Sequence, residues 1–250
     1  MGYIDTGLYQ NKEDILNSPR RLGSTQTKLG DIGYTDVNGD GKIDGNVSIN
    51  DGVENDNVVV DFNGKTLNGT ILDFNLSSSL TLKNGTISGG IDRAIYNEGL
   101  LYIQNMTLKS ETTEFNEAVW NTSTGHIDMT DTNIISGTTY ALKNSSTSTV
   151  SYINYPNTIT GKIKGNVVMV VKTTTGVQFR IFGKTVTTCT TSASGSGKSA
   201  TYNASSTTNS YGTYYYCDIN KANHGNATGK YSISVINNGS LVIGTTFEMR

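Results

Sequence analysis

A hydrophobic-Asn pair recurs along this chain as Phe74-Asn75, Tyr96-Asn97, Trp120-Asn121 and, more weakly, Lys143-Asn144, with asparagines 22, 24 and 23 residues apart. A second phase keeps step with it. Thr66-Leu67, Thr86-Ile87, Thr107-Leu108, Asn133-Ile134 and Thr158-Ile159 follow one another at gaps of 20, 21, 26 and 25. A period in the low twenties, built from short β-type runs, predicts a solenoid. One such unit cannot bury its own apolar side, so neighbouring units must stack, and the product is a long rigid surface. Presentation or binding is therefore expected ahead of a deep catalytic pocket.

Within the units, VVVDF, LTLKNGTI, LLYIQNMTL and HIDMTDTNII alternate apolar and polar residues with period two. Leu80 and Leu82, Leu101 and Ile103, and Ile127 and Met129 are expected to point inward from successive rungs. Asn84, Asn105 and Asp131 are expected at corresponding turns, and glycines 64, 85, 89, 90 and 99 at corners. Strands stacked about 4.8 Å apart would let in-phase asparagines satisfy one another's amides along the axis. These features predict a right-handed parallel β-helix.

Composition agrees with an all-β chain. Hydrophobic residues make up 35% and charged residues 16% of 250, with two prolines and 28 glycines. Gly and Asn accept φ > 0 cheaply, which suits many short strands joined by tight turns. A short stretch near residues 12–17 carries the one helical signal. The net charge of -2 gives no basic footprint for nucleic acid, and no apolar run is long enough for a membrane-spanning helix. The first residues lack the basic and apolar regions of a signal peptide. We expect a fragment of a longer exported protein in preference to a cytosolic chain.

Three compositional blocks follow: an irregular polar segment over 1–52, the repeat over 53–165, and 166–250, where the period is lost and about seven strand-like runs appear. Cys189 in TVTTCTT and Cys217 in YGTYYYCDI both lie in the third block. They read either as a disulfide joining two strands, as an exported chain would use, or as two buried thiols.

The repeat, in VVVDFNGKTLNGTI, LTLKNGTISGG and AIYNEGLLYIQNMTL, resembles the pectate-lyase-like β-helices of Gram-positive bacterial surface proteins. The third block, in GVQFRIFG and YYYCDINKANHGNATGKYSISVINNGSLVIGTTFEM, is similar to the group B streptococcal Bsp-like repeat, which implies an immunoglobulin-like β-sandwich. The tryptophan-containing middle of many members is replaced here by CTTSASGSGKSATYN. In the first block, EDILNSPR and GDIGYTDVNGDGKID resemble a segment of SusC/RagA-type TonB-linked outer-membrane proteins. Fifty residues cannot close a membrane barrel.

The sharpest local motif is DVNGDGKID. Asp36, Asn38 and Asp40 offer side-chain oxygens, Lys42 its backbone carbonyl and Asp44 a direct or water-mediated contact, as in the first nine positions of a Ca²⁺ loop. Position twelve is Val47 where a bidentate carboxylate belongs, so an acidic turn without metal is the alternative. Evidence for catalysis is thin. Glu111, Glu114 and Glu117 are consecutive in one insertion and read as a solvated loop, with no matched pair of carboxyls. His126 reads as an outward polar position and His224 as part of a turn. Tyr96, Tyr102, Trp120, Tyr214 and Tyr216 could contact sugar rings or pack as core and rim aromatics.

The sequence thus predicts a short right-handed parallel β-helix followed by an immunoglobulin-like β-sandwich. The expected function is a non-catalytic stalk or adhesive module at a bacterial cell surface or outside the cell, taking glycan or cell-wall polymer as partner. A polysaccharide lyase or glycoside hydrolase on the β-helix is the first alternative. A fusion of unrelated exported fragments without its own function is the second.

Overall fold

Apolar side chains repeating once per rung on each of three short strands force the chain to coil around them. A computed structural model of the protein describes residues 20–21, 43–44, 47–50, 58–74, 79–89, 93–110, 116–122, 124–195 and 197–250. The helical signal near 12–17 lies outside the described residues. Through residue 172 the described residues form a β-solenoid, consistent with a parallel β-helix, with three parallel faces. The first face stacks 20–21, 47–50, 71–74, 95–97, 117–121, 140–144 and 162–164. The second stacks 58–61, 79–83, 100–104, 126–130, 151–154 and 167–170. The third stacks 43–44, 66–68, 85–88, 106–110, 133–136 and 158–160.

Each face sends apolar columns inward. Ile71, Ile95, Val119 and Leu142 stack on the first; on the second Leu80, Leu101 and Ile127 stack in one column, with Ile153 in the inward column beside it; Leu67, Ile87, Leu108 and Ile134 stack on the third. All twelve are at most 1% exposed. Burying one such side chain contributes about 1.5–3 kcal/mol, so the stacked columns dominate the stability of the coil. The second sequence phase coincides with the third face: Thr66 pairs with Thr86, Thr86 with Thr107, Thr107 with Asn133 and Asn133 with Thr158.

Where the described chain passes from the second face to the third, each passage places one residue in the left-handed region. These are Asn63 (φ 49°), Asn84 (59°), Asn105 (51°), Asp131 (51°) and Tyr155 (52°). Asn and Asp tolerate this conformation and an aromatic does not, so Tyr155 is the exception to explain. The asparagines also bond along the axis: Asn105 Nδ2 donates to Asn84 Oδ1 at 3.1 Å, and Asn84 Nδ2 to Asp61 Oδ1 at 3.2 Å. Beside them Gly85 is obligatory, because a Cβ there would lie 2.2 Å from the Phe62 Cβ.

A second ladder is internal. Asn97 Nδ2 donates to Asn121 Oδ1 at 2.7 Å, and Asn121 Nδ2 donates to Asn144 Oδ1 at 3.0 Å. All three residues are buried. The same amides reach the carbonyls of Gly99, Gly125 and Thr149, closing the corner between the first and second faces. The residue aligned ahead of Asn97 is Asp73. The first sequence pair, Phe74-Asn75, is therefore two positions out of phase.

Beyond residue 166 the sheet does not stop. Val167–Lys172 is the last rung of the second face and pairs antiparallel with Gly176–Phe182, which pairs with Gly212–Asn220, which pairs with Ser205–Asn209. A separate antiparallel sheet orders Ser199–Asn203, Thr188–Ala193, Gly229–Asn237 and Ser240–Met249. Strand 167–172 serves two cores. Val167 and Met169 pack into the solenoid, whereas Val168 and Val170 join Phe179, Ile181, Ile233, Val235 and Phe247 in a second cluster. Phe182 and Tyr214, with ring centroids 5.0 Å apart, belong to the solenoid core near its C-terminal end. The one helical turn among the described residues is the 3-10 turn Lys221–His224. No helix among them is long and apolar enough to cross a membrane.

Candidate functional site

Of the residues singled out by sequence, Tyr96 and Trp120 stand on adjacent rungs of the first face, pointing outward. Their rings meet edge to face at 5.3 Å. Cations cover the indole: the Arg93 guanidinium carbon lies 4.5 Å and the Lys143 Nζ 4.7 Å from its centroid. Trp120 Nε1 donates to Ser145 Oγ, and the Tyr96 hydroxyl donates to Glu98 Oε1 at 2.6 Å. That hydrogen bond, with burial acting in the same direction, pushes the Tyr96 phenol above its usual range. These rings are engaged with protein on their faces and at their polar ends. Arg93 in turn pairs with Glu117 at 3.5 Å, both buried. Glu117 is thus the start of a strand and half of an internal ion pair, a correction to its expected place in a solvated loop.

Tyr214 is 4% exposed and belongs to the solenoid core, with Tyr216 half-buried against it. Cys189 and Cys217 form a disulfide that joins strand 188–193 of the separate sheet to strand 212–220 of the sheet continuous with the solenoid. Asp36, Asn38, Asp40 and Lys42 of the calcium-loop motif lie outside the described residues, as does the side chain of Asp44. Among the described residues no three His, Cys, Asp or Glu side chains gather as a metal site. His224 is buried, hydrogen-bonded through Nε2 to Thr191 Oγ1 at 2.9 Å and edge-on to Tyr231.

Tyr102 differs from the other aromatics. It stands on the outer side of the second face and is 40% exposed, with Leu100 two residues before it 36% exposed. Register places Tyr102, Asp128 and Tyr152 side by side on consecutive rungs. The next outward column holds Gln104, Thr130 and Asn154. With Thr81 on the rung before, Tyr102, Gln104, Asp128, Thr130 and Asn154 line a groove of about 240 Å³. The groove has an aromatic wall, two amides, two hydroxyls and a single carboxyl. Asn154 Nδ2 donates to Asp128 Oδ1 at 2.7 Å. Burial nevertheless pushes the Asp128 carboxyl above its usual range, against the opposing effects of His126 and Asn154. The His126 ring lies 5.9 Å from that of Tyr152.

A second hollow, of about 200 Å³, opens where the solenoid meets the edge of the separate sheet, among Tyr155, Lys230, Thr246, Glu248 and Arg250. Asp128, Tyr152 and Asn154 escaped the sequence reading. The alternation in HIDMT already carried the signal for Asp128, since it sends His126, Asp128 and Thr130 to one side. Comparison of the chain with protein-family models, curated proteins and solved structures gave no match.

Proposed function

We propose that the chain is a non-catalytic module of a bacterial cell-surface or secreted protein, a stiff stalk whose second face binds glycan. The observation that carries this reading is Tyr102, a 40% exposed ring bordering a groove otherwise made of amides, hydroxyls and one carboxyl. Sugar rings present apolar C–H faces and polar edges, so an exposed aromatic beside amide and hydroxyl partners is a matching surface. A single carboxyl in the groove argues for binding ahead of hydrolysis, which needs a pair across a cleft. We read the coil as right-handed from the general sense of parallel β crossovers. The two-sheet unit is read as immunoglobulin-like, supported by its inter-sheet disulfide. That disulfide also supports export.

Glycan-array and peptidoglycan pull-down binding by the wild type and Tyr102→Ala test the reading. Loss of one stacking ring is expected to weaken binding roughly tenfold, about 1.4 kcal/mol. Because Tyr102 is exposed, the circular dichroism of the variant should match the wild type. Full binding by Tyr102→Ala, or release of unsaturated uronides from pectin-type polymers, would overturn it.

A further inference from the structure

The groove around Tyr102 and the hollow beside Arg250 share two wall residues, Thr130 and Asn154. The two hollows adjoin at these residues and together outline one candidate cleft. It starts at Thr81, climbs the second face rung by rung past Tyr102, Asp128 and Asn154, and ends against the outer side of strand Ser240–Met249. At the usual strand spacing the three rung steps from Thr81 to Tyr152 span about 14 Å. Either hollow alone is smaller than the roughly 300–1,000 Å³ of ligand-binding clefts, and joined they come within that range. Next to the shared Asn154 stands Tyr155, the one aromatic in the left-handed column and a wall of the second hollow. Its ring lies under Arg250 and its hydroxyl donates to the Glu248 carbonyl, so the strained backbone is held by the sheet across the cleft.

We infer that this cleft takes one extended neutral oligosaccharide that bridges the solenoid and the separate sheet. The inference rests on the glycan reading above and adds the course and the charge class of the ligand. A chain of linked pyranoses is long, stiff and uniform in its hydroxyl edges, which suits a cleft of repeating rungs. Neutrality follows from the wall. The solenoid half offers Thr81, Gln104, Thr130 and Asn154, with burial disfavouring ionisation of Asp128. At the other end Arg250 is paired with Asp131, and Lys230 stands opposite Glu248 in register. Neither half holds a surplus of cations for an acidic polymer.

The test measures binding of cellobiose, cellohexaose, xylohexaose, mannohexaose and hexagalacturonate by calorimetry, to the wild type, Tyr102→Ala and Thr246→Trp. Thr246 is exposed and lines the sheet end alone, so a tryptophan there narrows the far half without entering a core. We expect at least one neutral hexasaccharide to bind tenfold or more tighter than its disaccharide. Thr246→Trp should abolish that length gain and leave disaccharide binding unchanged, while Tyr102→Ala should weaken both. If Tyr102→Ala weakens glycan binding but Thr246→Trp leaves hexasaccharide affinity intact, the bridging cleft is wrong and the glycan reading stands. Preference for hexagalacturonate overturns the neutral assignment. If Tyr102→Ala changes nothing, both readings fall.

Discussion

The guanidinium of Arg250 lies over the ring of Tyr155, its carbon 4.4 Å from the centroid, while its Nη1 reaches Asp131 Oδ1. Asp131 and Tyr155 occupy consecutive places in the left-handed column of the solenoid, so one side chain at the end of the last strand ties the separate sheet to two rungs. The Arg250–Asp131 pair is solvent-exposed and contributes little on its own. The hydroxyl of Tyr155 donating to the Glu248 carbonyl is better sheltered. Tyr155→Phe should therefore cost about 1 kcal/mol, roughly 2–4 °C in Tm. Tyr155→Asn relaxes the backbone yet loses ring and hydroxyl together, and should melt below Tyr155→Phe. An asparagine variant as stable as the wild type would show that the clamp contributes nothing.

The buried amide ladder makes a sharper prediction. Asn121 accepts from Asn97 and donates to Asn144 and the Gly125 carbonyl, at the centre of the stack. Asn121→Leu should cost about 2–3 kcal/mol, because an apolar side chain of similar size strips the two neighbouring amides of a partner. Asn121→Asp removes both donors and inserts a carboxylate facing Asn144 Oδ1. Its destabilisation should be larger at pH 7 than at pH 3, where a neutral carboxyl can donate one bond. Thermal melts of the two variants at both pH values read this out; equal losses for Asn121→Asp at the two pH values would count against a buried ladder.

The parts of this architecture that repeat could be read from sequence, because register follows directly from period. The pairs Thr86-Ile87 and Thr107-Leu108 are partners in the sheet, and Asn97, Asn121 and Asn144 stack as their spacing implies. Phe74-Asn75 matched the pattern in composition and misled on phase, since Asp73 holds the ladder position. Non-repeating features depend on contacts far along the chain. Nothing near Tyr155 announces a left-handed turn, for its partners lie some 93 residues away. The run VVMVV at 167–171 could have been read as a strand buried on both sides, which is what serving two cores requires. The site was half legible. Tyr96, Trp120 and Tyr102 are alike as letters, and only the placement of Arg93 and Lys143 over the indole separates packed rings from the open one.

Cys189 and Cys217 are both wholly buried and enclose 28 residues of sequence separation. Loop closure over that span predicts roughly 3–4 kcal/mol lost in the Cys189→Ala, Cys217→Ala double variant, by the chain-entropy account. Because neither sulfur is accessible, reduction should wait on opening of the two sheets. Native protein in dithiothreitol should stay oxidised over hours at 25 °C and reduce promptly in partial denaturant, as followed by thiol alkylation and mass. Immediate alkylation of both cysteines in native buffer would show that this region opens freely.

Asp128 supplies a pH-dependent prediction. Burial raises its carboxyl in the folded protein above the value it has in the unfolded chain. The folded state then binds the proton more tightly, so stability is fully present below the unfolded pKa and is lost as pH rises through the folded one. Above that window the protein carries a buried charge with Asn154 as its hydrogen-bond donor. Asp128→Asn removes the ionisation and keeps an oxygen for the Asn154 amide at the same place. Its Tm should match the wild type near pH 3 and exceed it at pH 7, with the crossover inside the carboxylate range. The measurement is a series of melts from pH 3 to 7, and a Tm difference that does not vary with pH would refute the assignment. Glycan affinity followed over the same series separates the two roles of the residue. If the carboxyl also accepts a hydroxyl from the ligand, Asp128→Asn should weaken binding in the range where the wild-type carboxyl is ionised, even as it stabilises the fold.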